Sequence, residues 1–108
     1  MVTVTIFKQQ DQYKGFEFDG HAGFAKRGKD IVCAAISILV INTYNSIEQF
    51  TDDGFSGAAS PDGGHIEMTF TDENSSELTL LLNSMLLGLK EIEKKYGSKY
   101  IKLQFKEV

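Results

Sequence analysis

The sequence predicts a single α+β domain in which one mostly antiparallel β-sheet packs against two helices. Three observations support this fold class: several segments alternate apolar with polar residues, two stretches have helical periodicity, and glycine-rich turns separate them. The predicted order of elements is β-β-α-β-(β)-α-β. The 108 residues suit one domain with a modest core, and no linker or repeat divides them, so we assign residues 1–108 to one domain.

Two strands joined by a hairpin are predicted at the start of the chain. Residues 2–7 alternate Val, Val and Ile with Thr, Thr and Phe, a pattern typical of a strand rich in β-branched residues. Residues 13–19 form a second strand with two phenylalanines on one face, and the polar run 8–12 predicts the turn between the strands. Gly20 and His21 follow directly, so we expect His21 at the tip of a strand.

The first helix is predicted over residues 30–50, after a glycine-rich connector at residues 22–29. Asp30 is a favoured N-cap, because its carboxylate accepts hydrogen bonds from the first turn of the helix. Cys33 is then the third helical residue, where the positive end of the helix dipole favours a thiolate. Asp30, Cys33 and Ser37 share one face, which either lines a cleft or satisfies its polar groups internally. The plainer interpretation of the connector is a solvated loop, although its basic residues could contact a substrate.

The second half of the chain supplies the remaining strands. A possible short strand within residues 51–57 precedes the strongest turn signal in the sequence, Ser60 to Gly64. Residues 65–71 then alternate polar and apolar side chains, as do residues 100–106 at the end of the chain. Both segments are therefore predicted to be strands.

The second helix is predicted between these last two strands. Asn74 with Glu77 three residues later resembles a capping box, and Gly97 is placed for a C-cap. The apolar stripe that would face the core consists of Leu78, Leu81, Leu82, Met85, Leu89, Ile92 and Tyr96.

Composition and charge exclude several classes of function. The net charge of −4 argues against nucleic-acid binding through phosphate contacts, while it is compatible with a basic partner. A single cysteine forbids an internal disulfide and fits a reducing cytoplasm. The first residues lack the features of a signal peptide, and the apolar run Ile31 to Ile41 is too short to span a bilayer, so we expect no membrane association.

His21 and Cys33 are the candidate catalytic pair. A thiolate can attack a carbonyl carbon while an imidazolium protonates the leaving amine, and N–H groups at the helix start could stabilise the oxyanion. A non-catalytic alternative stays open, in which Cys33 is a small core residue and His21 is a turn residue. Asp30 either orients His21 or only caps the helix, and Ser37 either bonds within the site or back to the helix.

A metal or cofactor site is not indicated. A metal centre would need His21, Cys33 and His65 to converge, and their spacing matches no standard zinc pattern. His65 follows two glycines and is expected to be structural. The sequence also contains no phosphate loop, dinucleotide fingerprint or paired-carboxylate motif, so we expect no cofactor.

Two segments carry a resemblance to a known family. Gly20-His21-Ala22, followed by the stretch from Gly28 to Ser37, resembles the signature of the ribosomal-processing cysteine protease family. The similarity runs along nearly the whole chain and includes the Asp62-Gly63-Gly64-His65 turn and the leucine-rich second helix. The resemblance implies that the single domain is a cysteine-protease domain.

The same resemblance implies roles for individual residues. The catalytic cysteine of the family corresponds to Cys33 and its histidine to His21, with supporting roles for Asp30 and Ser37. Gly20 matches the glycine that precedes the histidine. The flexible loop that covers the active site in the family corresponds to residues 22–29.

The function implied by the resemblance is that of a small cytoplasmic endopeptidase, expected to be a homodimer. Such enzymes remove the N-terminal extension of the large-subunit ribosomal protein numbered twenty-seven, and their substrates present aromatic residues before the cut. An apolar pocket near Cys33 is therefore expected. The alternatives are a non-catalytic ribosome-associated binding module and a thiol-dependent hydrolase of small esters or amides.

Overall fold

Five strands form one mixed sheet in a computed structural model of the protein, and two helices share its core. The structure describes residues 1–23, 25–26 and 30–108. The elements are β1 (Val2–Gln9), β2 (Gln12–Gly20), α1 (Ile31–Phe50), β3 (Phe55–Ala59), β4 (His65–Phe70), α2 (Ser76–Tyr96) and β5 (Ile101–Glu107). The predicted α+β class and the order of elements are confirmed, and the possible strand after α1 is formed by β3.

The strands lie in the order β3-β4-β2-β1-β5. The pairs β1–β2, β2–β4 and β3–β4 are antiparallel, whereas β1 pairs with β5 in parallel. The sheet is therefore mostly antiparallel, as predicted, with one parallel pair at an edge. The helix α2 follows β4 in the chain and precedes β5. It forms the long crossover connection that a parallel strand requires and brings the chain to the edge of the sheet where β5 lies.

One face of the sheet forms the core with the helices. Alternate side chains of β1 are fully buried, and they lie in register with the buried phenylalanines of β2. The buried residues of α1 recur along one helix face and are Val32, Ile36, Val40, Thr43 and Ile47. Those of α2 are Leu78, Leu82, Met85, Leu86 and Leu89. Burial of this apolar surface is the main stabilising term.

The first hairpin is tighter than the sequence suggested. β1 extends to Gln9 and β2 begins at Gln12, so only Gln10 and Asp11 form the turn. Gln10 has a φ of 55°, a conformation that such a short connection requires. Gln9, Gln10 and Asp11 are exposed, so the polar turn joins the strands without a burial penalty.

The predicted capping box of the second helix is wrong. Ser75 is the N-cap, and its hydroxyl accepts the Leu78 N–H at 3.0 Å. Asn74 is engaged elsewhere, since its side chain accepts from the Tyr13 N–H at 2.6 Å and donates to the Tyr13 carbonyl at 2.8 Å. The Asn74 amide thus takes the place of a strand partner for β2. At the other end of the helix, the predicted C-cap at Gly97 is confirmed.

α1 is long and apolar enough to cross a membrane by length and composition, with a mean hydropathy of 1.5. Its 20 residues exceed the apolar run Ile31 to Ile41 identified in the sequence. The core helix of a globular protein has the same features, and the buried face of α1 packs into the common core of sheet and helices. The packing accounts for the apolar residues of that face, whereas Ile31, Ile38, Ile41 and Phe50 remain exposed.

Asp53 ties the segment after α1 to the start of α2. Its carboxylate accepts the Ser75 N–H at 2.9 Å and the Ser75 hydroxyl. Burial alone would raise the pKa of Asp53, but the hydrogen bonds from Ser75 and Thr51 outweigh it and bring the pKa below its ordinary value. A depressed carboxyl pKa contributes stability above the unfolded-state pKa, and this stability is lost as the pH falls through the folded-state pKa.

We expect Asp53→Ala to lower the free energy of unfolding by about 1–2 kcal/mol at pH 7, because two charge-assisted hydrogen bonds disappear. The difference from wild type should shrink as the pH falls below about 4, the ordinary carboxyl pKa, because the unfolded chain takes up the proton first and the folded protein follows at lower pH. Urea denaturation at pH 7 and over this acid range measures the effect. Asp52→Ala, at the exposed neighbour, is the control. Equal stability of Asp53→Ala and wild type at pH 7 would contradict the assignment.

Candidate active site

The end of β2 places His21, and Gly20 makes this possible. Gly20 has a φ of 101°, and a Cβ on it would lie 2.6 Å from the Met1 carbonyl oxygen. Both the conformation and the contact exclude a side chain at this position. The Gly20 N–H donates to the Gly64 carbonyl at 2.8 Å, which extends the β2–β4 pairing to the residue before His21.

His21 leaves the sheet with an exposed side chain, and Ala22 behind it is buried in the core. The chain is therefore fixed on both sides of His21, by the Gly20 hydrogen bond and by the burial of Ala22. The predicted location of His21 at a strand tip is confirmed. Its Nε2 faces the β3–β4 turn, since a Cβ placed on Gly64 would lie 3.3 Å from this atom.

The start of α1 places Cys33 as the third helical residue, as predicted. The Asp30 carboxylate accepts the Cys33 N–H at 2.8 Å, and the Asp30 carbonyl accepts the Ala34 N–H at 3.0 Å. Asp30 is thus the N-cap and holds the backbone of Cys33 directly. The thiol is free of any disulfide and half-buried against the core.

These elements meet in one cleft of about 510 Å³. The described residues that line it are His21, Gly23, Ala25, Asp30, Cys33, Ala34, Ser37, Ile41, Asp62 and Gly63. His21, Cys33, Asp30 and Ser37 therefore face the same space, and the polar face of α1 lines a cleft, the first of the two predicted possibilities. Gly20 is not among the lining residues, but it fixes the backbone next to His21.

The β3–β4 turn forms the opposite wall, and sequence analysis did not assign it to the site. Asp62 accepts hydrogen bonds from the Gly64 N–H at 2.9 Å and from the Ser60 hydroxyl at 2.7 Å. These bonds lower the pKa of Asp62, and the charge of His21 lowers it further. The sequence indicated only that these residues form a turn. A turn signal does not predict which other part of the chain the turn will contact.

His65, which the sequence suggested to be structural, is not among the described residues that line the cleft. It lies on the outer face of the sheet, with Nδ1 3.4 Å from Asp19 and Nε2 3.2 Å from Glu67. The hydrogen bond to Glu67, followed by that to Asp19, raises the pKa of His65. Among the described residues, ligand atoms of Glu17, His65 and Glu67 lie within 4.8 Å of one another. This cluster lies outside the cleft, so His65 does not join His21 and Cys33.

The predicted loop over the site, residues 22–29, falls partly outside the part of the chain that the structure describes. Phe24, Arg27, Gly28 and Lys29 lie outside the described residues. The described members Gly23 and Ala25 line the cleft.

Comparison with known proteins gives one consistent family. The family model described as cysteine protease Prp matches residues 1–102. The chain is 33% identical to the ribosomal processing cysteine protease Prp of Staphylococcus aureus, over 98% of this chain and 100% of that protein. It is 31% identical to the protein of the same name from Bacillus subtilis, over 89% of this chain and 90% of the relative.

A solved structure has the same fold and contains a peptide. It is the Prp protease of S. aureus in complex with a covalently linked product peptide, with a TM-score of 0.90, 33% identity and coverage of 98% of this chain and 100% of that chain. The arrangement of sheet and helices described above is therefore shared with a protease whose solved structure contains a linked peptide.

We expect Asp30→Ala to destabilise the protein by about 1 kcal/mol, because the first turn of α1 loses its cap. Asp30→Asn is the matched control, since its amide oxygen can still accept the Cys33 N–H and should retain most of the stability. Urea denaturation of the two variants and wild type measures both effects. An unchanged denaturation midpoint for Asp30→Ala would show that the cap is not needed.

Proposed function

Since the chain belongs to the Prp family of ribosomal processing cysteine proteases, we propose that Cys33 is its nucleophile and His21 its acid–base partner. A cysteine protease requires a thiolate, and this chain has a single cysteine. The observation that carries the proposal is that Cys33 and His21, delivered by separate elements, line the same cleft.

The reaction proceeds in two steps on these groups. The Cys33 thiolate attacks the carbonyl carbon, and the His21 imidazolium gives its proton to the leaving amine as the C–N bond breaks. Water then attacks the thioester and gives a proton to His21, and the C–S bond breaks to release the acid and the thiolate. The reaction needs no metal or cofactor.

Two of the N–H groups at the helix start are already engaged. The N–H groups of Cys33 and Ala34 are bonded to the carboxylate and carbonyl of Asp30. The oxyanion would therefore be bound by the first two N–H groups of the helix, by other donors in the cleft, or by one of these groups after Asp30 yields it to the substrate. Asp30 accordingly acts through the position of the nucleophile, and Ser37, one turn further along α1, faces the same space.

The proposed substrate is the N-terminal extension of the large-subunit ribosomal protein numbered twenty-seven. The curated relatives are named for ribosomal processing, and a chain with a net charge of −4 suits a basic ribosomal substrate. A second cleft of about 310 Å³ adjoins the first, with Ile41 and Gly63 common to both. Its other lining residues are Tyr44, Asn45, Ala59, Ser60, Pro61 and Ile66, a mostly apolar wall that suits the aromatic side chains expected before the cut.

We expect Cys33→Ala and His21→Ala each to reduce cleavage of the extended ribosomal protein by a factor of roughly 10³ or more, because each removes a group that acts in the chemical step. Mass spectrometry of the substrate after incubation measures both the rate and the position of the cut. His65→Ala is the matched control, since the second histidine lies outside the cleft and should leave the rate within about twofold.

The outcomes separate the proposal from its alternatives. Full cleavage by Cys33→Ala or His21→Ala would refute the dyad. An intact substrate with folded, reduced wild type would favour the non-catalytic binding module. Turnover of simple esters or amides without regard to peptide sequence would favour the small-molecule hydrolase.

The assembly is proposed to be a cytoplasmic homodimer. Large apolar side chains remain exposed on both helices, and they include Ile38 and Ile41 on α1 and Leu80 and Leu87 on α2. Large apolar side chains that remain exposed can be covered by association with a second chain. Sedimentation velocity should give twice the mass of one chain, and the mass of a single chain at all concentrations would contradict the dimer.

A further inference from the structure

The outer edge of the strand β3 is exposed. β3 is the last strand of the sheet on the side opposite β5, and β4 is the one strand that pairs with it in the part of the chain that the structure describes. Its residues from Ser56 to Ala59 are all exposed. The free side of an edge strand presents a row of N–H and C=O groups that can pair with another extended chain. β3 therefore has the geometry to accept a further strand.

The hydrogen bonds that flank β3 show which of its backbone groups already have a partner. Just before the strand, the Thr71 N–H donates to the Gly54 carbonyl at 3.0 Å, and just after it the Ser60 N–H donates to the His65 carbonyl at 2.8 Å. Hydrogen-bonded positions alternate along an antiparallel pair. The even-numbered residues of β3 therefore bond to β4.

The odd-numbered residues of β3 direct their N–H and C=O groups away from β4. They are Phe55, Gly57 and Ala59, and we refer to their backbone groups as the open edge. The open edge spans about 13 Å at a rise of about 3.3 Å per residue. Tyr44 of α1 packs against the inner face of the strand, since its ring centroid lies 6.0 Å from that of Phe55 and its ring would overlap a Cβ placed on Gly57. The helix thus supports β3 from one face.

The other edge of the sheet has a different composition. β5 carries Lys102, Lys106 and Glu107, and charged side chains, lysine above all, discourage the pairing of an edge with a further strand. None of the residues of β3 is charged, and none is a proline. The two edges therefore differ, and β3 is the one without these protective features.

The open edge leads into the two clefts described above. β3 ends at Ala59, which lines the second cleft, and this cleft shares Ile41 and Gly63 with the one that Cys33 lines. A chain that lies along β3 and continues past Ala59 therefore enters the second cleft and then the first. An extended peptide fits this path, because its backbone can pair with β3 while a later peptide bond reaches Cys33.

From this continuity we propose that the peptide substrate binds by adding a strand to the open edge of β3. The inference rests on the endopeptidase activity proposed above. The residues before the cut lie along β3 and run parallel to it, towards Ala59, so that their aromatic side chains enter the second cleft and the bond to be cut reaches Cys33. In such strand addition, main-chain hydrogen bonds supply affinity and side-chain pockets supply specificity.

Amide hydrogen exchange of Cys33→Ala, followed by NMR, tests the protein side. This variant retains the substrate without cutting it, and the probe is a synthetic peptide that spans the extension and the cut. In the free protein we expect rapid exchange of the Phe55, Gly57 and Ala59 amides, because no strand covers them. At saturating peptide their exchange should slow by about tenfold or more. The amides of the two residues between them already bond to β4 and are the internal control, with changes within about twofold.

Peptides that are N-methylated at one residue at a time test the substrate side. Alternate N–H groups of an added strand face its neighbour. N-methylation should therefore raise the KM of wild type about fivefold or more at every second residue before the cut, and leave it within about twofold at the residues between them. The unmethylated peptide is the reference. An equal effect at all positions, or no effect at any, would contradict strand addition.

The outcomes distinguish this inference from the proposed activity. Unchanged exchange at the open edge with bound peptide would overturn the inference, while cleavage by wild type would still establish the protease. Slow exchange in the free protein that becomes faster on dilution would show that a second copy of the chain occupies the edge, which would also overturn it. Slowed exchange with peptide but no cleavage by folded, reduced wild type would support strand addition in a binding module and refute the endopeptidase.

Discussion

The site depends on the pairing of β2 with β4 and on the hydrogen bond that ends it, from the Gly20 N–H to the Gly64 carbonyl. This pairing brings the residue before His21 and the β3–β4 turn together at the same end of β2 and β4. It requires a glycine at position 20, where both the positive φ and the Met1 carbonyl exclude a side chain. The position of His21 is therefore set by the sheet.

The position of Cys33 is set by a different group of contacts. Asp30 caps α1 through the Cys33 N–H, and the helix is anchored by a row of buried residues beginning at Val32, next to Cys33. Val32 and Cys33 are neighbours in the chain but point to different sides of the helix. The same helix can thus bury an apolar face and present Cys33 and Ser37 to the cleft.

Local signals explain what the sequence could predict. Alternation in β1 and β4, the Asp30 cap and the Gly97 cap depend on a few neighbouring residues, and each was correctly identified. The errors came from contacts distant in sequence. Asn74 had the right spacing for a capping box, but it bonds to the Tyr13 backbone 61 residues away, so Ser75 caps the helix instead. Likewise, the position of the β3–β4 turn at the cleft could be predicted only with knowledge of the order of the strands in the sheet.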